Sequence, residues 1–212
     1  MRLIGMLDSP YVRRVAISLD LLGIDFRQES ISVFSTFEQF SAINPVVKAP
    51  TLVCDDGCVL MDSSLILQFV EACAGRSLWS TDRAQLQQEF RAVGLALAAC
   101  EKGVQIVYER NLRPKAAQYE PWMDRVTGQL LAACGALEDE VQHRPAVFAD
   151  FGKQPAVTTA VVWGFMQEML ASQVPVASYP RLSALSKRIE QTPPFLNYPS
   201  AGPGVSAGLS AR

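Results

Sequence analysis

The sequence predicts a mixed α/β N-terminal domain over residues 1–75 and an all-helical domain over residues 83–198, joined by a linker at 76–82. Three observations predict it. Up to Gly75, short apolar runs of strand type alternate with amphipathic helices. From about Thr81 onward apolar residues recur only at spacings of three and four, the helical period. Between the two, "GRSLWSTD" carries neither pattern.

The elements follow in order. "RLIGML" is a short apolar strand. "YVRRVAISLDLLG" puts Val12, Val15, Ala16, Leu19 and Leu22 on one helical face, with Gly23 as its stop. "DFRQESISV" reads as a second strand and "STFEQFSAINP" as a short, irregular helix. "PTLV" and "CVLM" flank the turn "DDG", a hairpin signal. "SSLILQFVEACAG" is a helix with Leu65, Ile66, Phe69, Val70 and Cys73 facing inward. The order β-α-β-α-β-β-α gives a mixed four-stranded sheet covered by helices.

In the second half, Leu86, Phe90, Val93, Leu97, Cys100, Val104 and Val107 mark one long helix. After Pro114 and Pro121, Trp122, Val126, Leu130, Cys134, Leu137 and Val141 mark another. "PAVTTAVVWGFMQEML" is apolar nearly all round and reads as a central buried helix. "YPRLSALSKRIEQT" is amphipathic, and residues 199–212 form a flexible tail rich in Pro, Gly, Ser and Ala.

Composition narrows the function. Apolar residues at 49% and charged residues at 19% support a full core and exclude a disordered or fibrous chain. A formal charge of −2 leaves no basic footprint for nucleic acid. No apolar run is long enough to cross a membrane, and the N-terminus lacks the apolar segment of a signal peptide. The spacings of the five cysteines suit neither a disulfide framework nor a zinc site. A cytoplasmic protein with reduced thiols and no metal is the expectation. His143, the single histidine, falls in a surface loop, so a histidine triad or a His-rich metal site finds no support.

One feature of the hairpin is odd. Pro50 stands where the first hairpin strand begins, although proline cannot donate to a sheet ladder. The segment "NPVVKAPTLVCDDGCVLMDSSLILQFVE" resembles the glutathione-binding segment of the soluble glutathione transferase superfamily. "SPYVRRVAISLDLLGI" is similar to the first helix of its serine-type members, with a bacterial or tau-like motif pattern, and "YPRLSALSKRIEQTPPF" to its last helix. The resemblance implies a thioredoxin-like first domain and glutathione as co-substrate. It implies a cis Pro50 that turns Ala49 so that its backbone meets the cysteinyl part of the tripeptide. Asp62 and Ser63, at the start of the next helix, would hold the γ-glutamyl end, where helix N–H groups favour a carboxylate. Lys48 would reach the carboxylate at the other end.

Ser9 decides the chemistry. Before Pro10 and the first helix, its hydroxyl either caps that helix or, as the resemblance implies, donates to the glutathione thiolate, the nucleophilic form. In "SPYV", Ser9 and Val12 stand where glutaredoxins have cysteines, so dithiol chemistry is excluded there. Tyr11, Tyr108 and Met166 are candidates for the wall against a small hydrophobic electrophile, or for plain core. "AVTT" puts Ala156 and Thr159 where relatives carry a Ser/Thr-x-x-Asp cap, with Thr158 as a substitute. The reading is a homodimeric transferase. A non-catalytic regulatory protein of the same fold and a glutathione-dependent isomerase or lyase are the alternatives.

Overall fold

The computed structural model describes residues 1–202 and 204. The first unit holds β1 (Arg2–Ile4), α1 (Pro10–Leu22), β2 (Arg27–Glu29), α2 (Phe37–Ile43), β3 (Thr51–Val53), β4 (Val59–Met61) and α3 (Ser63–Ala74). The element order is the expected one. The four strands lie in the order β2-β1-β3-β4. β1 pairs in parallel with β2, while β3 is antiparallel to both β1 and β4.

The pleat sends successive side chains to opposite faces. Leu3 and Leu52 therefore join Val12, Val15, Leu19, Ile66 and Val70 from α1 and α3 in one core. Ile4 and Val53, one residue along, meet Phe40 of α2 and Ile31 in the other. Pro10 opens α1, where its missing N–H is no loss. Gly23 closes it at φ 69°, the left-handed C-terminal cap.

The chain divides at Leu78, and the segment from Pro193 onward returns to the first unit. This corrects the boundary read from sequence, which left residues 193–198 with the helical domain. The cause is specific. α8 (Pro193–Asn197) buries Phe195, and the Arg13 guanidinium lies 5.2 Å from its ring. Arg13 Nε also donates to Tyr198 O at 2.8 Å, and Tyr198 stacks on Phe26. Beyond it, Ala201 O accepts from the Asp8 N–H and Gly204 N–H donates to Asp8 Oδ2. The segment expected to be a flexible tail is thus tied to the first unit as far as Gly204; residues 203 and 205–212 lie outside the described residues.

α3 also departs from expectation. Ile66, Leu67 and Val70 face the core, but Leu65 is 60% and Phe69 38% exposed, and Cys73 is exposed too. Two apolar stripes run side by side on this helix, and the sheet covers only one.

The second unit contains α4 (Arg83–Leu112), α5 (Glu120–His143), α6 (Gln154–Met169) and α7 (Pro180–Ile189). α4 buries mainly small residues: Ala92, Ala96, Ala99, Cys100 and Gly103, with Val93, Ile106 and Val107. The buried stripe is therefore shifted from the predicted one. Phe90 is left 54% exposed against Trp79, because α4 packs on its neighbours through its smallest side chains. α5 keeps the predicted stripe from Val126 to Leu137, while Trp122 in its first turn is exposed. α6 is buried almost throughout, as its composition predicts.

The N-cap residue of α6, Lys153, makes no side-chain cap hydrogen bond. The helix starts at Gln154 with Pro155 in its first turn, and Thr158 Oγ1 donates to Gln154 Oε1 at 3.2 Å. Thr158 thus does not act as the substitute cap. Elsewhere buried carboxylates accept from backbone N–H groups at or just before helix starts. Glu138 accepts from the Arg181 and Leu182 N–H groups at the start of α7. Glu109 accepts from the Tyr119 N–H just before α5, and Glu89 from the Ser80 N–H.

None of the five cysteines is in a disulfide, and burial pushes the Cys134 thiol up to about 12. Among the described residues, no helix is long and apolar enough to cross a membrane and no group of side chains could hold a metal ion.

Candidate active site

Three loops at one edge of the first unit carry the predicted residues. The first leaves β1 through Gly5, at φ 141°. A Cβ there would lie 2.6 Å from Val12 Cγ2 and 3.4 Å from Ala49 Cβ. Gly5 is therefore the point at which α1 and the loop before β3 approach each other.

Ser9 follows at the head of α1. Its carbonyl accepts the Arg13 N–H at 2.9 Å. Its backbone is extended, as in a capping residue, but its side chain makes no cap hydrogen bond. The hydroxyl is half-buried and uncommitted at the positive end of the helix. Of the two roles open to Ser9, its side chain does not fill that of cap. Beside it, burial pushes the Asp8 carboxyl up from its ordinary value, against the lowering effect of N–H donors that include Gly204.

The second loop runs from Asn44 to Pro50. Asn44 is buried and organises it. Its Oδ1 accepts the Val46 N–H at 3.0 Å, and its Nδ2 donates to Thr51 Oγ1 at 2.8 Å. Val47 sits at φ 52°, a conformation that a β-branched side chain rarely adopts. Such strain persists where the surroundings over-determine it, and it concentrates at functional sites. The Ala49–Pro50 bond is cis, as the resemblance implies. Ala49 is half-buried beside Gly5, and Lys48 is exposed.

The third loop enters α3. Asp62, at φ 72°, caps this helix with Oδ1, accepting from Ser64 N at 2.9 Å and Leu65 N at 3.3 Å. Lys48 Nζ lies 3.8 Å from Asp62 Oδ2, so the second and third loops meet here. Ser63, the first residue of the helix, is 5% exposed. Its Oγ accepts from Arg14 Nη1 at 3.2 Å, and Ser64 Oγ accepts from the same atom at 3.3 Å.

Arg14 is the residue that sequence reasoning missed. It is only 2% exposed, although it belongs to a tandem arginine pair that reads as the solvent side of α1. No local signal marks it, because its partners Ser63 and Ser64 are remote in the chain.

The candidate electrophile residues are divided between the two units. Tyr11 is half-buried in the first turn of α1, and Tyr108 is exposed on α4 in the second unit. Met166 is corrected to a core residue. It is 0% exposed, and its side chain lies so close to Gly103 that a Cβ there would meet its Cε at 2.6 Å. A side chain so enclosed offers no surface to a second substrate.

Residues 3–77 match the family model described as the glutathione S-transferase N-terminal domain. Over most of its length the chain is similar to a glutathione S-transferase of Methylobacterium radiotolerans solved with glutathione sulfonate. The TM-score is 0.85 at 26% identity, over 95% of each chain. Residues 3–77 carry a glutathione S-transferase N-terminal domain.

Two further proteins are similar to this chain. A glutathione transferase family member of Pseudomonas fluorescens Pf-5, solved with bound glutathione, superimposes at a TM-score of 0.81 with 26% identity, over 95% of this chain and 99% of its own. The uncharacterized GST-like protein YibF of Escherichia coli (strain K12) is 27% identical over 139 residues, 65% of this chain and 68% of its own length. Ser9, Lys48, Ala49, Pro50, Asp62 and Ser63 all fall inside the matched transferase domain. So does Arg14.

Proposed function

We propose that the protein binds glutathione in its first unit and activates the thiol at Ser9 for attack on a small apolar electrophile. The observation that carries this reading is the Ser9 hydroxyl, held at the head of α1 and used by no helix cap. A glutathione thiol titrates near 8.5 like other thiols. A hydrogen bond from Ser9, added to the helix dipole, favours the thiolate. The sulfur then forms a bond to the electrophilic carbon. Either a leaving group departs with its electron pair, or the electrons move into an adjacent activated π-system. Ala49 presents backbone groups to the cysteinyl unit, Ser63 takes the γ-glutamyl carboxylate, Asp62 faces the ammonium and Lys48 the glycyl carboxylate. Solved relatives that hold glutathione or its sulfonate support the choice of ligand.

Calorimetric titration with reduced glutathione tests the site. The wild type binds in the micromolar to low-millimolar range. Ser63→Ala weakens binding by about tenfold, the worth of one hydrogen bond to a charged group. Equal affinity in the two proteins would remove Ser63 from the site.

The active form in this reading is a cytoplasmic homodimer. The outward stripe of α3, Leu65, Phe69 and Cys73, supports a partner surface, and so does Phe90 on α4. Phe69→Ser is expected to convert a dimer to a monomer at micromolar concentration, read by light scattering on a sizing column. A wild type that elutes as a monomer would discard the dimer.

A further inference from the structure

The chemistry just proposed uses the Ser63 hydroxyl but gives no reason for an arginine buried beneath it. We infer that Arg14 is a positioning residue of the glutathione site. It fixes the Ser63 hydroxyl as a donor to the γ-glutamyl α-carboxylate and sets a permanent positive charge behind it. This inference rests on the glutathione reading and deepens it.

Hydrogen-bond accounting comes first. A serine hydroxyl has one proton and two lone pairs. Arg14 Nη1 donates to Ser63 Oγ at 3.2 Å, so one lone pair is engaged by a cation. A hydroxyl polarised in this way is a poorer acceptor for a second donor and a stronger donor itself. Its proton must point away from the guanidinium. Asp62 Oδ1 meanwhile occupies the Ser64 and Leu65 N–H groups. Among the described residues the Ser63 N–H makes no hydrogen bond. The donors left at the start of α3 are the N–H and O–H of one residue, a pair suited to the two oxygens of a carboxylate.

Electrostatics points the same way. Arg14 is 2% exposed, and taking a guanidinium out of water is costly. Here it lies beside the N-terminus of α3, which is itself positive. Both elements favour an anion at this point. Asp62 supplies one carboxylate, but its Oδ2 lies toward Lys48. The ligand's α-carboxylate supplies the second. Arginine suits the task because its planar, rigid fork can hold the Ser63 and Ser64 hydroxyls at once, where lysine brings a flexible point charge. Because Arg14 lies about one and a half turns beyond Ser9, the same helix then positions both ends of the chemistry: the thiol at its head and the γ-glutamyl anchor through Arg14.

A mere strut between α1 and α3 predicts something different, and a thermodynamic cycle separates the two. Wild type, Arg14→Met and Arg14→Lys are titrated with glutathione and with 4-aminobutyryl-cysteinyl-glycine, which lacks only the α-carboxylate. In wild type, removing that carboxylate weakens binding at least tenfold. Arg14→Met is expected to weaken glutathione binding at least tenfold and binding of the analogue less than twofold. Equal losses for both ligands, or no loss for either, overturn the inference while the glutathione reading stands. If wild type binds no glutathione at millimolar concentration, the reading and the inference fall together. Should Arg14→Met fail to fold, as circular dichroism would show, Arg14→Lys is compared with and without Ser63→Ala. Action through Ser63 makes Arg14→Lys costless in the Ser63→Ala background; a full additional loss there overturns the inference.

Discussion

Replacing Ser9 with alanine lowers the rate of thioether formation by about a hundredfold, the usual loss when one preorganised donor to a developing or existing anion is removed. Glutathione affinity stays within about twofold, because Ser9 addresses the sulfur and not the charged ends of the tripeptide. Fold stability changes little, since the side chain makes no cap bond to lose. An active capping serine would instead cost about 1 kcal/mol on truncation. The pH profile carries the mechanism. In wild type the acid limb of the rate lies below the ordinary thiol value; in Ser9→Ala it moves up toward about 8.5. Thiolate absorbance of the glutathione complex, followed against pH, gives the same shift without turnover. An unchanged rate and an unchanged limb would remove Ser9 from the reaction.

Gly5→Ala has the largest expected effect on the fold, a loss of about 3 kcal/mol in urea or thermal unfolding. Two costs combine. The backbone is at φ 141°, where side chains of ordinary residues are strained. The added methyl would also stand 2.6 Å from Val12 Cγ2. Valine is β-branched and stiff at χ1, so it cannot swing aside without disturbing the core it belongs to. Gly57→Ala is the control. Gly57 also has a positive φ, of 87°, but an added Cβ there meets nothing within 4 Å. That change is expected to cost about 1 kcal/mol, the backbone share alone. Equal losses at the two positions would mean that the close approach at Gly5 contributes nothing.

The element order of the first unit was legible because each element carries its own local signal. Gly23 and Gly75 end helices in the left-handed conformation that favours glycine, and the Asp-Gly turn closes the hairpin. The proline at the head of β3 and the Asp62–Ser63 pair were legible only through family resemblance, because a proline or a capping pair has several ordinary uses. What stayed hidden depended on packing between elements. Leu65 and Ile66 are chemically alike, yet one is exposed and the other wholly buried, and only the position of the sheet decides between them. Arg14 was hidden for a related reason. Its charge marks it as a surface residue until Ser63 and Ser64, far along the chain, are seen to meet it. The buried carboxylates Glu138 and Glu109 likewise accept from N–H groups at the starts of helices other than their own, so no local spacing could announce them.

The return of the chain to its starting unit sets a schedule for biosynthesis. Residues 1–78 emerge from the ribosome first, yet Phe195, Tyr198, Ala201 and Gly204, which complete their packing, emerge last. At about 5–20 residues per second, the interval between the two is on the order of 6–25 s. Throughout it, the segment bearing Ser9 exists without the contacts to Asp8. The helical unit, whose residues are continuous in the chain, is complete before the unit that precedes it. A nascent chain stalled before Pro193 therefore displays a finished second unit behind an unfinished first one.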